Sequence, residues 1–473
     1  MKVVFRALQW SFLSEIAAKA IQPLVFVVLA RLLTPEDYGV VASATMVITF
    51  SQMFWEAGMG NAIIQDKGDR NAAANAAFWI NNVMGGVVAL LLVAASGSIA
   101  NYIFHDVRVA PVLKVMSLQV FLAASASIHK ALLQKDLKFK NLFWVRLITV
   151  AIPGLFSIPL AMQGMGYWAL VAGTLSGQAM QVLMLWRMSE WKPTLSFDGA
   201  IARELIGFGG WVATAGLLGW FYIWADSLVV GINLGAHDLG VYRIGSTFVF
   251  MIFNFVVGPI MPVLYSGLSR RTKSKENWQS VTLVTQKAMF MLSLPIGLGL
   301  FVFGNKVPLI LGEQWTDASL VIQLLGLSQG ISWLMGVNDE IYKSMGRPDI
   351  GTKILGIALL YHIPAYYIGS QYGLREFLFV RFGLQIVSEA IHFIYLRSTL
   401  GITVSTVLKN NGLTVGAAVL PALIYALLVK GELMSLGTIP EMAIYSLLVV
   451  AINVPLVYLL SQELKQVKQE LGY

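Results

Sequence analysis

Long apolar stretches run through this chain almost end to end, and its basic residues gather in every second gap between them. No other feature restricts the fold as much. Crossing the hydrocarbon core of a bilayer takes about 20 apolar residues in a helix, and only helices or closed barrels satisfy their own backbone there. Of the 473 residues, 57% are hydrophobic and 12% are charged; an ordinary soluble domain carries roughly twice that charge. So few charges cannot coat a water-facing surface.

Spans are expected near residues 9–31, 38–59, 74–96, 110–129, 143–163, 165–187, 208–232, 239–265, 281–304, 319–338, 351–370, 373–396, 411–430 and 439–461, about fourteen in all. The fourth holds Lys114, Ser117, Gln119 and Ser125, the poorest set for a lipid-facing helix, and is expected to line an interior. A net charge of +8 suits nucleic acid in principle, but the basic residues sit in short gaps such as Lys130, Lys135, Lys138 and Lys140, and Arg270, Arg271, Lys273 and Lys275. With the N-terminus in the cytoplasm, roughly 22 basic residues fall on that side against about 5 on the other, which places both termini in the cytoplasm and argues against a nucleic-acid partner.

There is no cysteine, so disulfides and thiol chemistry are excluded. Glu15 and Lys19 lie inside the first apolar run and no small-residue cleavage signature follows, so this run reads as a retained helix. The longest gaps, around 130–142, 188–207 and 266–280, fall short of the roughly 50 residues of a small domain. No metal-ligand cluster, Gly-rich phosphate loop or Ser/His/Asp arrangement is present, and the five histidines, His105, His129, His237, His362 and His392, are scattered. A catalytic module and direct use of ATP are therefore not expected, nor is any cofactor.

The segment LTPEDYGVVASA after the first span matches LGAHDLGVYRIG after the seventh at Leu33/Leu234, Asp37/Asp238, Gly39/Gly240 and Val40/Val241, with a constant offset of 201. Six spans separate the copies, so their orientation in the membrane is the same. The expected architecture is an all-α integral membrane protein of two pseudo-symmetric six-helix lobes, residues 1–190 and 191–400, followed by two further helices within 401–473. Parallel repeats of this kind rock about a site held between them, the mechanics of a transporter.

Ionisable groups within spans are costly and count as functional candidates. They are Glu15, Lys19, Glu56, Lys114, Arg146, Asp226, Arg243, Lys287, Arg381 and Glu389, with the ring of His362. Glu15 and Lys19, four apart, share one helix face: either Lys19 meets a substrate anion while Glu15 moderates it or carries a coupling proton, or the two neutralise each other. Asp226 and Arg243 suit a salt bridge locking one hairpin, or a gate. Arg146, Lys287 and Lys114 lie near span ends, where long cations snorkel to the headgroups. Glu389 and Arg381 share a face as a buried pair or as an unrelated packing contact. Cations outnumber acids, so an anionic cargo is expected. Trp55, Trp220, Tyr222, Trp224, Trp333, Tyr361 and Tyr366 are candidates to stack on sugar rings, beside the ordinary aromatic belt.

The pieces LARLLTPEDYGVVASATMVI, GMGNAIIQ, HKALLQKDLKFKNL, GYWALVAGTLSGQ and ADSLVVGINLGAHDLGVY resemble the polysaccharide-transport flippases of the multidrug/oligosaccharidyl-lipid/polysaccharide exporter superfamily. The resemblance implies a V-shaped pair of lobes around a cavity that opens alternately to each face. It implies a polyprenyl-diphosphate-linked oligosaccharide as cargo, the bacterial inner membrane as location, and surface-polysaccharide assembly as context, with a polymerase and export machinery as partners. It ranks Lys19, Lys114, Arg146 and Arg243 as substrate-binding, joined by Tyr361 and His362 from the eleventh span. Glu15, Asp226 and Glu389 are the candidates for H⁺ or Na⁺ coupling or gating. A cation-coupled multidrug antiporter of the same superfamily is the nearest alternative; a membrane glycosyltransferase or polymerase would need longer external loops.

Overall fold

A computed structural model describes residues 2–56, 59–65, 69–258, 260, 275–430 and 437–470. Arg270, Arg271 and Lys273 lie outside the described residues, as does the end of the eighth expected span. Among the described residues the chain is all helix with short turns. The helices are α1 (Lys2–Leu32), α2 (Pro35–Trp55), α3 (Met59–Gln65), α4 (Arg70–Ser98), α5 (Val109–Lys135), α6 (Phe139–Met162), α7 (Tyr167–Met188), α8 (Gly199–Asn233), α9 (Gly235–Val256), α10 (Lys275–Phe303), α11 (Pro308–Leu311), α12 (Ala318–Ser332), α13 (Asn338–Ser344), α14 (Pro348–Ser370), α15 (Leu374–Leu400), α16 (Val404–Lys430) and α17 (Thr438–Glu470).

Each expected span overlaps a helix, but the second, 38–59, runs past the end of α2 at Trp55 into α3. Nine helices among the described residues are both long and apolar enough to cross a membrane, namely α4 to α7, α9, α10 and α15 to α17. The protein is thus a multi-pass membrane protein. The tenth expected span is shorter than anticipated: α12 has 15 residues and ends at Ser332, and the chain turns before restarting as α13. The fourth span, the weakest by composition, forms the full 27-residue α5. Its serines are absorbed locally, Ser117 and Ser125 each donating to a carbonyl one turn back at 2.7 and 2.8 Å.

The chain divides into two compact units, Met1–Arg243 and Ile244–Tyr473, with the boundary inside α9. In the first, α6 packs against α1 and α7, and α5 against α2, α4 and α7. Close approach of α6 and α7 comes from small residues one turn apart. A Cβ on Gly173 would press on Ser157 and the Pro153 carbonyl, and one on Gly177 on the Pro153 ring, the small-xxx-small device of membrane helices. Beside it Ser157 keeps its hydroxyl inside the helix, its Oγ donating to the Pro153 carbonyl at 2.6 Å. In the second unit, α10 packs against α12, α16 and α17, and α14 against α15.

Helix starts follow local chemistry. Thr34 caps α2 in a reciprocal box with Asp37, and Pro35 takes the first helical position. Asp69 and Asp198 cap α4 and α8 through Oδ1. The last six residues of the rod containing α4, Ile99–Phe104, form a π-helical turn that ends at His105 in the left-handed region, φ 53°.

Candidate transport site

In the first unit, α1 and α6 run side by side, and this adjacency decides the partner of Glu15. Its carboxylate meets the Arg146 guanidinium at 2.7 Å, with both side chains nearly half exposed. Rather than snorkelling outward, Arg146 is shared with Glu15, because the neighbouring helix brings a carboxylate within reach. Lys19 lies one turn further along α1 and is half-buried. Lys114 stands on the exposed face of α5 with Val115 and Leu118. Near one end of the α1–α6 pair, Trp10 packs on Phe143 with centroids 5.2 Å apart, and the Lys140 ammonium lies 5.8 Å from the Trp10 ring.

Asp226 and Arg243 belong to a second cluster, on α8 and α9. The Tyr242 hydroxyl donates to Asp226 Oδ2 at 2.6 Å, while Ser227 gives its N–H and its Oγ–H to Oδ1 at 2.6 and 3.1 Å. Arg243 donates to Ser227 Oγ at 3.4 Å, and its guanidinium lies 4.4 Å from the Trp224 ring. Acid and base are therefore tied through Ser227, and three donors on the carboxylate make it a rigid buried acceptor. Nothing in the sequence distinguishes Tyr242 and Ser227 from other polar residues in an apolar helix.

The third cluster is in the second unit, on α14 and α15. Tyr361 and Ser388 share a hydrogen bond of 2.8 Å, and His362 Nε2 reaches Ser388 Oγ at 3.4 Å. The His362 ring lies parallel to Tyr366, 5.2 Å away. One helical position beyond Ser388, Glu389 is buried and accepts from Gln385 at 2.8 Å, and its second oxygen, also buried, has no hydrogen-bond partner. A buried carboxyl oxygen without a donor is expensive, which keeps Glu389 among the candidates.

Other expectations are corrected. Lys287 does not snorkel: it is buried on α10 and bonded to Glu463 of α17 at 2.6 Å. Lys306 is likewise paired with Glu441, which also accepts from Tyr425. Trp220 is not open to sugar rings, since it is buried in an edge-to-face group with Phe50 and donates to Thr49 Oγ1 at 3.1 Å. Beside it, an apolar cavity of about 610 Å³ between α2, α4 and α8 is lined by Met46, Phe50, Met84, Leu91, Trp220 and Leu228. Among the described residues no three His, Cys, Asp or Glu side chains converge as a metal site.

The contact that sequence reading misses lies at the repeated motif. Glu36 Oε1 and His237 Nδ1 are 2.7 Å apart. Gly39 rests on the Ala236 backbone, and Gly240 rests on the Pro35 backbone, so closely that a Cβ on either would overlap the facing carbonyl. Asp37 accepts from the Tyr167 N–H at 2.8 Å, which fixes the start of α7 against α2. The match between the two copies is visible in the sequence, but not that the copies touch. A second cavity of about 610 Å³ opens beside this contact, with His105, Asp106, Arg108 and Asn233 on its wall.

Residues 28–320 match the family model described as polysaccharide biosynthesis protein. The chain belongs to this family. Its relatives include the succinoglycan biosynthesis transport protein ExoT of Rhizobium meliloti, 25% identical over 332 residues that cover 70% of this chain and 67% of ExoT. The lipopolysaccharide biosynthesis protein WzxC of Escherichia coli is 24% identical over 376 residues, 77% of this chain and 74% of WzxC. Among solved structures, the lipid II flippase MurJ in an inward closed conformation superposes with a TM-score of 0.76 at 12% identity, covering 97% of this chain and 99% of MurJ. At that identity the superposition establishes a shared all-α fold.

Proposed function

We propose that this protein is a flippase that carries a polyprenyl-diphosphate-linked oligosaccharide across the bacterial cytoplasmic membrane by alternating access, for assembly of a surface polysaccharide. The observation that carries the reading is membership of the polysaccharide biosynthesis family together with the match to a named succinoglycan transport protein over 70% of the chain. The spread of basic residues among the gaps supports cytoplasmic termini. A polymerase and export machinery are its expected neighbours.

In this reading the diphosphate meets Lys19, Lys114, Arg146 and Arg243 in turn or together, and Tyr361 and His362 contact the sugar. The Glu15–Arg146 pair supplies a simple route to ion coupling. A proton arriving on Glu15 cancels its charge and releases the guanidinium for phosphate, whose oxygens the planar fork binds two at a time. Loss of that proton draws Arg146 back to Glu15 and expels the anion. Asp226, held by three donors, is suited to a fixed counter-charge for Arg243, and Glu389 to a second proton site. A multidrug antiporter would favour an acidic, apolar pocket over these cations.

The test is a deletion strain. Loss of the gene should accumulate a polyprenyl-linked glycan in the inner leaflet, and the wild-type gene should restore export. A strain that exports normally, or one that becomes only drug-sensitive, rejects the reading.

A further inference from the structure

The contact between the two motif copies has its own internal symmetry. Pro35 touches Gly240 and Gly39 touches Ala236, while Pro35 and Ala236 are counterparts at the offset of 201, as are Gly39 and Gly240. Such reciprocal exchange, i on j and j on i, is the signature of a two-fold interface, here between two segments of one chain. On the axis of such an interface a residue meets its own counterpart. Glu36 and His237 are that pair, with |i−j| equal to the same 201.

The layers of the contact are ordered. Outermost is the Glu36–His237 clasp, both side chains 40% exposed or more. Beneath it are the two glycine crossings, and beneath those Val40, Leu239 and Val241, each with no exposed surface. The first α2 turn is held from behind by the Thr34–Asp37 box and by the Asp37–Tyr167 bond. Arg108, locked to Asp106 through three hydrogen bonds, lies close enough to feel the Glu36 charge. Both α2 and α9 begin here, on the side opposite the basic gaps.

We propose that this two-fold contact is the outer closure of the transport path, a dry seal of backbone on backbone whose polar clasp is Glu36–His237 and which must part once in every cycle. The proposal rests on the alternating-access reading and adds to it the residues that shut the outer side. Glycine at positions 39 and 240 makes the seal tight, because only a residue without Cβ lets the two helix starts meet through their backbones. The clasp leaves it reversible, because a contact between two exposed polar side chains adds little to stability.

Because the natural chain has no cysteine, introduced thiols report alone. A Glu36→Cys/His237→Cys protein treated with a short, reducible bis-thiol cross-linker should stop exporting glycan and resume after reduction. Full export by the cross-linked protein overturns the proposal. An independent readout needs no cargo: Val40→Cys, or Val241→Cys should the first fail to fold, is labelled from outside by a polar maleimide. Labelling should quicken about 2–5-fold when Glu36→Lys replaces the clasp with repulsion, the range for an exposed pair. Equal labelling with and without the clasp sinks the seal. Failure of the wild type to restore export would sink the flippase reading while leaving the labelling result to judge the contact.

Discussion

Adding one methyl group at either glycine of the motif contact should open it, and by a similar amount at each. Gly39→Ala directs a Cβ into the Ala236 carbonyl, and Gly240→Ala directs one into the Pro35 carbonyl. The obstruction is backbone in both cases, so no side chain can swing aside. Overpacking of this kind costs about 1–3 kcal/mol, and it is felt only while the two helix starts are in contact. At about 1.4 kcal/mol per decade the ratio of shut to open molecules should fall by roughly 5–150-fold. The alanine also favours helix by up to about 1 kcal/mol, which applies equally to both states and cancels. Labelling of Val241→Cys in the Gly39→Ala background, and of Val40→Cys in the Gly240→Ala background, measures the shift. Gly416→Ala, where a Cβ meets nothing, is the control and should leave labelling unchanged. If only one of the two substitutions opens the contact, or if neither does, the two-fold argument fails.

Lys287→Met should lower thermal stability in detergent by about 1–3 kcal/mol, since it strands the partly buried Glu463 carboxylate; a Lys287→Met/Glu463→Leu protein should recover most of that loss, and a double variant as unstable as the single one refutes the pairing. Glu15→Gln should leave lipid-diphosphate binding intact or tighter while making export insensitive to the proton gradient, measured in proteoliposomes with and without an uncoupler; preserved coupling clears Glu15. The Glu36 carboxyl is held below the usual carboxylate range by its bond to His237. Its stabilisation of the shut contact is therefore present above the ordinary carboxylate value and lost as pH falls through the lowered one. Spin labels at Leu32→Cys and Asn233→Cys should gain a longer distance as the pH falls below the ordinary carboxylate range, and Glu36→Gln should flatten that response despite Asp37, Asp106, Arg108, His105 and Asp238 nearby. An unchanged acid response in Glu36→Gln would assign it to those neighbours.

The helices are readable because a bilayer asks for one thing, an apolar run of fixed length; where the run is short of it, as at α12, the reading overshoots the helix end. What the runs do not encode is which helices are neighbours. Glu15 and Lys19 share a face by helical geometry alone, yet the partner of Glu15 is Arg146, chosen by the lateral packing of α1 on α6. Asp226 and Arg243 do lie on one hairpin, but Ser227, which joins them, and Tyr242, which holds Asp226, look like filler in sequence. Lys287 near a span end resembles any snorkelling cation until α17 brings Glu463 beside it. The repeat at an offset of 201 is visible as similarity; its meaning as contact depends on a Cβ-free surface formed only when the two helix starts meet.

The meeting of Glu36 with its own counterpart bears on how such a chain came to be. In an ancestor whose halves were identical, or in a homodimer before fusion, the same amino acid would have stood on both sides of the axis. Two glutamates there repel, and two imidazolium rings do the same. In such a chain a single exchange at either position would turn a homotypic clash into an attraction between unlike partners, while the glycines flanking it, which never face themselves, could stay alike.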